Sequence, residues 1–156
     1  MSFKDLIYTS EVLQALAPIV VAADAEPTGT DRKGWDGTLH LVNVGARGDT
    51  WSVAHYIDLI LQHCDDDATW VAVTSADDIQ FDGTVETIAS GIIKKLDAAG
   101  DGSQIYEVGY IGPKRYSRIY LDFTGTHATG TVMGVLTINL GQKYAGAAGV
   151  TMLPAL

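Results

Sequence analysis

The chain of 156 residues holds a single cysteine, Cys64. No disulfide can form within it, so packing must hold the fold, and assembly in a reducing cytoplasm is expected. Basic residues are also scarce. Ten Lys and Arg stand against nineteen Asp and Glu, a formal net charge of −9. That argues against a general nucleic-acid binder, which needs a basic surface to neutralise phosphates. It fits a protein kept soluble and apart by its own charge, or one that docks on a basic partner. No segment approaches the ~18 apolar residues of a membrane span. The N-terminal stretch has no basic run leading into a long apolar one, so no signal peptide is expected. What is present is a 47% hydrophobic content, enough for a proper core, in a length that predicts one domain.

The common signatures of chemistry are missing too. There is no GxSxG elbow, no GxxxxGK[ST] phosphate loop and no CxxC or HxxxH pair. The histidines are His40, His55, His63 and His127. His63 and Cys64 are adjacent, but neighbours on a strand point to opposite faces and do not chelate one metal. Asp65, Asp66 and Asp67 are hard-cation ligands by type. Counted as a calcium loop from Asp65, however, the sixth position is Trp70 where glycine is required, so a hairpin turn with Asp capping its own backbone is the favoured reading. Arg47-Gly48-Asp49 reads as a turn, with Gly48 expected to supply positive φ. No catalytic residue, cofactor or metal is expected, and nothing in the sequence argues for an enzyme.

The patterning is β from Trp35 onward. "TLHLVNV" alternates, with Leu39, Leu41 and Val44 taken as the apolar face. "HYIDLILQHC" places Ile57, Leu59 and Leu61 on one face, and with "WVAVT" it makes a hairpin from Ile57 to Thr74. "TVETIASGIIKKL" reads as two short strands around "ASG". "SQIYEVGYI" and "RYSRIYLDFTG" are strands on either side of "GPK", and "ATGTVMGVLTINLG" is a strand through Val132, Val135 and Ile138. About eight short strands at this spacing predict an all-β, antiparallel sandwich. Residues 1–34 read as an N-terminal arm and lead-in loop, 35–141 as the β-sandwich domain and 142–156 as a C-terminal tail. "DLIYTSEVLQALAP" permits a short helical turn ended by Pro18. Its apolar residues either reach a neighbouring molecule or close the domain's own sheet.

One stretch stands out in so acidic a chain: Lys114, Arg115 and Arg118 fall within five positions, interleaved with Tyr110, Tyr116 and Tyr120. Along "RYSRIYLDF", Ile119, Leu121 and Phe123 share the core face, while Tyr116, Arg118, Tyr120 and Asp122 share the outer one. Arg118 is expected to stack over a tyrosine there. The outer face is then either a protein contact, where Tyr and Arg are enriched, or a solvated sheet face. The candidate contact residues are Tyr116, Arg118 and Tyr120, with Leu6, Ile7, Tyr8, Val12, Leu13 and Leu16 in the arm.

The run "YEVGYIGPKRYSRIYLDFTGTHATGTVMG" resembles a signature of small tailed-phage and prophage virion proteins. "WDGTLHLVNVGARGDT", "IDLILQHCDDDATWVAVTSADD" and the opening "FKDLIYTSEVLQALAP" are similar to their first core strand, hairpin and arm, with Cys64 at a position where serine is usual. The ending "QKYAGAAGVTMLPAL" departs from the family's. The resemblance implies a jelly-roll-like sandwich in a structural role. The implied role is a capsid decoration (cement) protein on the virion surface, made in the host cytoplasm and bound to the major capsid protein as a homo-oligomer, with a trimer the first guess. It supplies no catalytic residues. A neck or tail component is the alternative. So is a carbohydrate-binding sandwich using Trp51, Trp70 or tyrosines as stacking platforms.

Overall fold

The structure is a computed structural model and describes residues 9–142. Alternating sequences such as "YIDLILQHC" cannot bury one side alone, and two antiparallel sheets close face to face over them. The first sheet is ordered β1 (Ser10–Val21), β10 (Thr131–Gln142), β3 (Trp35–Val44), β8 (Gln104–Tyr110) and β6 (Ile79–Phe81). The second is ordered β2 (Thr30–Asp31), β9 (Tyr116–Thr124), β4 (Tyr56–Cys64) and β5 (Val71–Ala72), with β7 (Ile92–Leu96) also on β4. β1 pairs with β10, β2 with β9, β3 with β8 and β4 with β7. One long hairpin is thus rolled onto itself, which is the jelly-roll arrangement.

The core forms between the sheets from Ile57, Leu59 and Leu61 of β4, Ile119 and Leu121 of β9, and Val42, Val108, Met133 and Val135 opposite them. The expected inner faces of β4 and β9 are the observed ones, and the hairpin closes with Gln62 opposite Ala72. Around "ASG" the expected pair of strands is one strand only. Ile88–Ser90 is a 3-10 turn ended by Gly91 at φ 68°, and Thr87 keeps a single bridge to Ile92 before β7 begins. A side chain at Gly91 would also press on the Leu61 carbonyl, 2.9 Å from where a Cβ would sit.

Two strands match expectation only in part, with Val44 and Val135 inward but their expected companions outward. In β3 the inward residues are Thr38, His40, Val42 and Val44, so Leu39 and Leu41 lie on the outer face. In β10 they are Thr131, Met133, Val135, Thr137 and Asn139, leaving Val132 and Ile138 outside. Polar residues point inward at one end of the sandwich because they satisfy one another. Thr38 Oγ1 donates to Asn139 Oδ1 (2.6 Å), Thr30 Oγ1 donates to Thr137 Oγ1 (2.9 Å), and His40 Nε2 lies 2.9 Å from Ser117 Oγ across the sheets.

Ser10–Val21 is not a helical turn but an edge strand of the domain's own first sheet. Pro18 falls in the register gap between Leu16 and Ile19, where an edge strand accommodates a residue without an N–H. Residues 22–31 then cross to the second sheet, where Ala25 exchanges two backbone hydrogen bonds with Leu121 (3.0 Å each). Within the described residues, the expected arm is therefore part of the sandwich. Leu6, Ile7, Tyr8 and the tail beyond Gln142 lie outside the described residues.

Candidate functional site

The basic cluster is neutralised residue by residue. Lys114 Nζ pairs with Asp65 at the tip of the β4–β5 hairpin. Arg115 donates from Nε and Nη2 to the two oxygens of Asp31 (3.0 and 2.6 Å). Arg118 donates from Nε to Gln62 Oε1 (2.8 Å) and from Nη1 to Glu26 Oε2 (3.2 Å). The register explains the Gln62 contact, since Gln62 stands directly opposite Arg118 on β4.

Arg118 was expected on an open outer face, stacked on a tyrosine. It is instead only 8% exposed, and its guanidinium lies 4.4 Å from the centroid of the Trp70 ring. Trp70 reaches it from the hairpin end, and Gly29 makes the room: a Cβ there would sit 2.5 Å from the indole. Of the other two face residues, Tyr120 is half-buried with the Asp24 carboxylate near its hydroxyl, and Tyr116 lies under the Arg115 guanidinium at 4.9 Å. Arg118 is covered by Trp70 and the Glu26 side chain, while residues 24–26 run beside β9. The arm candidates divide: Val12 is 61% exposed, Leu13 is 38% exposed, and Leu16 packs against the core.

The aspartate turn is built as expected. Asp66 accepts from the Ala68 and Thr69 amides (3.1 and 2.7 Å) and from Thr69 Oγ1 (2.7 Å), which pulls its carboxyl down to about 2. Asp49 of the Arg-Gly-Asp turn is likewise turned inward, accepting from the Thr129 and Gly130 amides (3.1 and 2.7 Å). Gly48 is there for closeness and not for positive φ, since a Cβ would fall 1.9 Å from the Gly130 carbonyl oxygen. Trp51, a candidate sugar platform, is only 4% exposed, and one face of Trp70 is taken by Arg118.

Tyr110 is a cross-sheet bridge that sequence reasoning missed. It is wholly buried, its hydroxyl lies 2.8 Å from His63 Nδ1 and accepts the Lys114 amide (3.0 Å), and Arg32 covers its ring at 4.9 Å. The available signal was its alternation with Val108 on one strand. His40 is a wholly buried titratable side chain at this end. Burial keeps its imidazole neutral and pushes its pKa down from 6.5 to about 3. The unfolded chain gains that proton near 6.5 and the folded chain does not. Stability is therefore complete above that pH and is lost as pH falls toward 3. Asp66 and Asp49, both depressed, add losses of the same sign at lower pH. In His40→Gln, which keeps a donor for Ser117, thermal melts between pH 6.5 and pH 3 are expected to show a shallower decline than wild type.

Asp58 titrates the other way. It is 6% exposed and stands opposite Lys95 on one side and Asp122 on the other, and its Oδ1 has no hydrogen-bond partner among the described residues. Burial raises its carboxyl, with Lys95 opposing and Asp122 reinforcing. Such a carboxylate weakens the folded state at neutral pH and is relieved as pH falls into its range. Asp58→Asn is expected to stabilise by about 1 kcal/mol, a rise of ~3 °C in melting temperature. An unchanged or lower midpoint in calorimetry would show that the charge is compensated by Lys95.

One open cleft of about 510 Å³ lies at the β6 edge, lined by Phe81, Asp82, Glu86, Lys94, Tyr106 and Glu107 among others. Lys94 is held by Asp101 at 3.1 Å, and Tyr106 donates its hydroxyl to the Asp101 carbonyl. The cleft thus offers two aromatic rings beside carboxylate acceptors. Among the described residues, no group of three or more acidic, histidine or cysteine side chains is placed to hold a metal ion. Comparison with family models, with curated proteins and with solved structures finds no match for this chain.

Proposed function

We propose that the chain is a bacteriophage virion structural protein, a capsid decoration protein that binds the major capsid shell and stabilises it. The observation that carries the reading is the jelly-roll pairing of β1 with β10 through β4 with β7, an architecture that recurs in viral capsid domains. The segment resembling the virion signature supplies most of β8, all of β9 and the first residues of β10, which are non-edge strands of the two sheets. A shell-binding protein needs a rigid body and a contact surface, and no pocket chemistry. The test is the copy number of this protein relative to the major capsid protein in purified particles, by quantitative mass spectrometry. A ratio approaching that of the shell protein is expected. A ratio far below it moves the protein to the neck or tail, and absence from particles overturns the reading.

The jelly roll also serves lectins, and the Phe81–Tyr106 cleft favours sugar binding as the second reading, in place of the tryptophans. Glycan-array binding lost in Tyr106→Ala would bring it forward, and no binding at millimolar sugar would remove it.

A further inference from the structure

The outer side of the first sheet is apolar where a solvated sheet would be polar. Exposed on it are Val12 (61%), Val20 (57%), Val132 (46%), Leu136 (42%) and Ile105 (63%). The register sets them in rows: Val12 beside Ile138 and Leu39, Gln14 beside Leu136 and Leu41, Val20 beside Val132. The outward positions of β1 from Val12 and of all β3 and β10 carry no charge, and Glu107 opposite Leu41 is the first one met on β8. Contiguous apolar surface of this kind marks an interaction site, and depletion of charge is the mark of an interface core.

We propose that copies of this chain associate through this face, back to back. Charge selects the partner. A molecule carrying −9 repels its own copies wherever carboxylates meet, and this sheet face is a broad uncharged surface on which two copies can touch without bringing them together. A basic partner would be drawn to the acidic loops instead. Shape agrees, because an open sheet face packs on a second copy of itself about a two-fold axis, as sheets pack in sandwiches. Area agrees as well. Four strands spaced ~4.8 Å apart and seven to twelve residues long at ~3.3 Å each cover roughly 600 Å² in projection, near the ~800 Å² per partner of a stable interface. The inference is independent of the virion reading and stands or falls separately from it.

The experiment is the solution mass of the full chain by light scattering or sedimentation over a wide concentration range, for wild type and Leu136→Lys. The expected result is a wild type of twice the chain mass and a variant that dissociates at least tenfold more readily, with an unchanged circular dichroism spectrum. Should Leu136→Lys fail to fold, Val12→Lys on the edge strand makes the same test. A wild type that stays monomeric overturns the proposal and gives the face to the shell protein or to a terminal segment of the chain. An oligomer that survives both substitutions overturns it too, by placing the contact elsewhere.

Discussion

Deleting residues 1–21 is expected to abolish the fold and not merely to trim an appendage. β1 runs antiparallel to β10 from Ser10 opposite Leu140 to Val21 opposite Thr131. Val21 is buried, and Ala15 and Leu16 pack against the core. Burying two large apolar side chains is worth ~1.5–3 kcal/mol each, and the hydrogen-bond ladder to β10 is lost with them. A domain of this size has about 5–15 kcal/mol in total. The deletion also bares the edge of β10 beside Met133 and Val135, a template for pairing between chains. Insoluble protein, or soluble protein without a cooperative melt, is the expected outcome in circular dichroism and calorimetry. A soluble variant melting near the wild-type midpoint would instead make β1 a detachable arm.

Arg118→Ala is expected to destabilise the domain by roughly 2–4 kcal/mol, somewhat below the ~3–5 kcal/mol of breaking a fully buried ion pair. The substitution leaves Gln62 Oε1 and Glu26 without their donor and removes the cation beneath Trp70. Glu26 is itself largely exposed and rehydrates, so the loss comes mainly from the emptied space under the indole and from Gln62. Arg118→Lys is expected to recover less than half of it, because an ammonium does not present the planar fork that reaches Gln62 and Glu26 while lying flat on the ring. Urea titration of both variants decides the matter. A change below about 0.5 kcal/mol, the range of an ordinary surface substitution, would return Arg118 to the role of a contact residue.

The basic run shows how far a sequence reading reaches. Its alternation placed Ile119 and Leu121 in the core, and both are there. The same alternation placed Arg118 outside its sheet, which is also correct, yet the residue is buried. Glu26 and Trp70, distant in sequence, close over it. No local pattern announces a roof made by a loop ninety positions away.

The strand phases make the same point from the other direction. In "YIDLILQHC" one face is far more apolar than the other, and the inward face is legible. In "TLHLVNV" both faces carry apolar residues, and Leu39 and Leu41 look more like core than His40 does. Because the side-chain period is two, choosing the wrong face inverts every residue of the strand. Only Ser117 across the sandwich and Asn139 beside Thr38 make the polar face the inner one. The leucines read as core turn out to form the apolar outer surface of the first sheet.

What the sequence by itself determined was therefore local: an all-β chain, the β4–β5 hairpin, the aspartate-capped turn, and the strands on either side of "GPK". Periodicity, turn chemistry and the lack of cysteine pairs suffice for those. Only the tertiary structure decided which face of β3 and β10 is buried, that β1 belongs to the sandwich, that Lys114, Arg115 and Arg118 each have a carboxylate partner, and that an uncharged sheet face is left uncovered among the described residues. Each of those depends on what lies across from a residue, and in a rolled hairpin the residue across is a long way off in sequence.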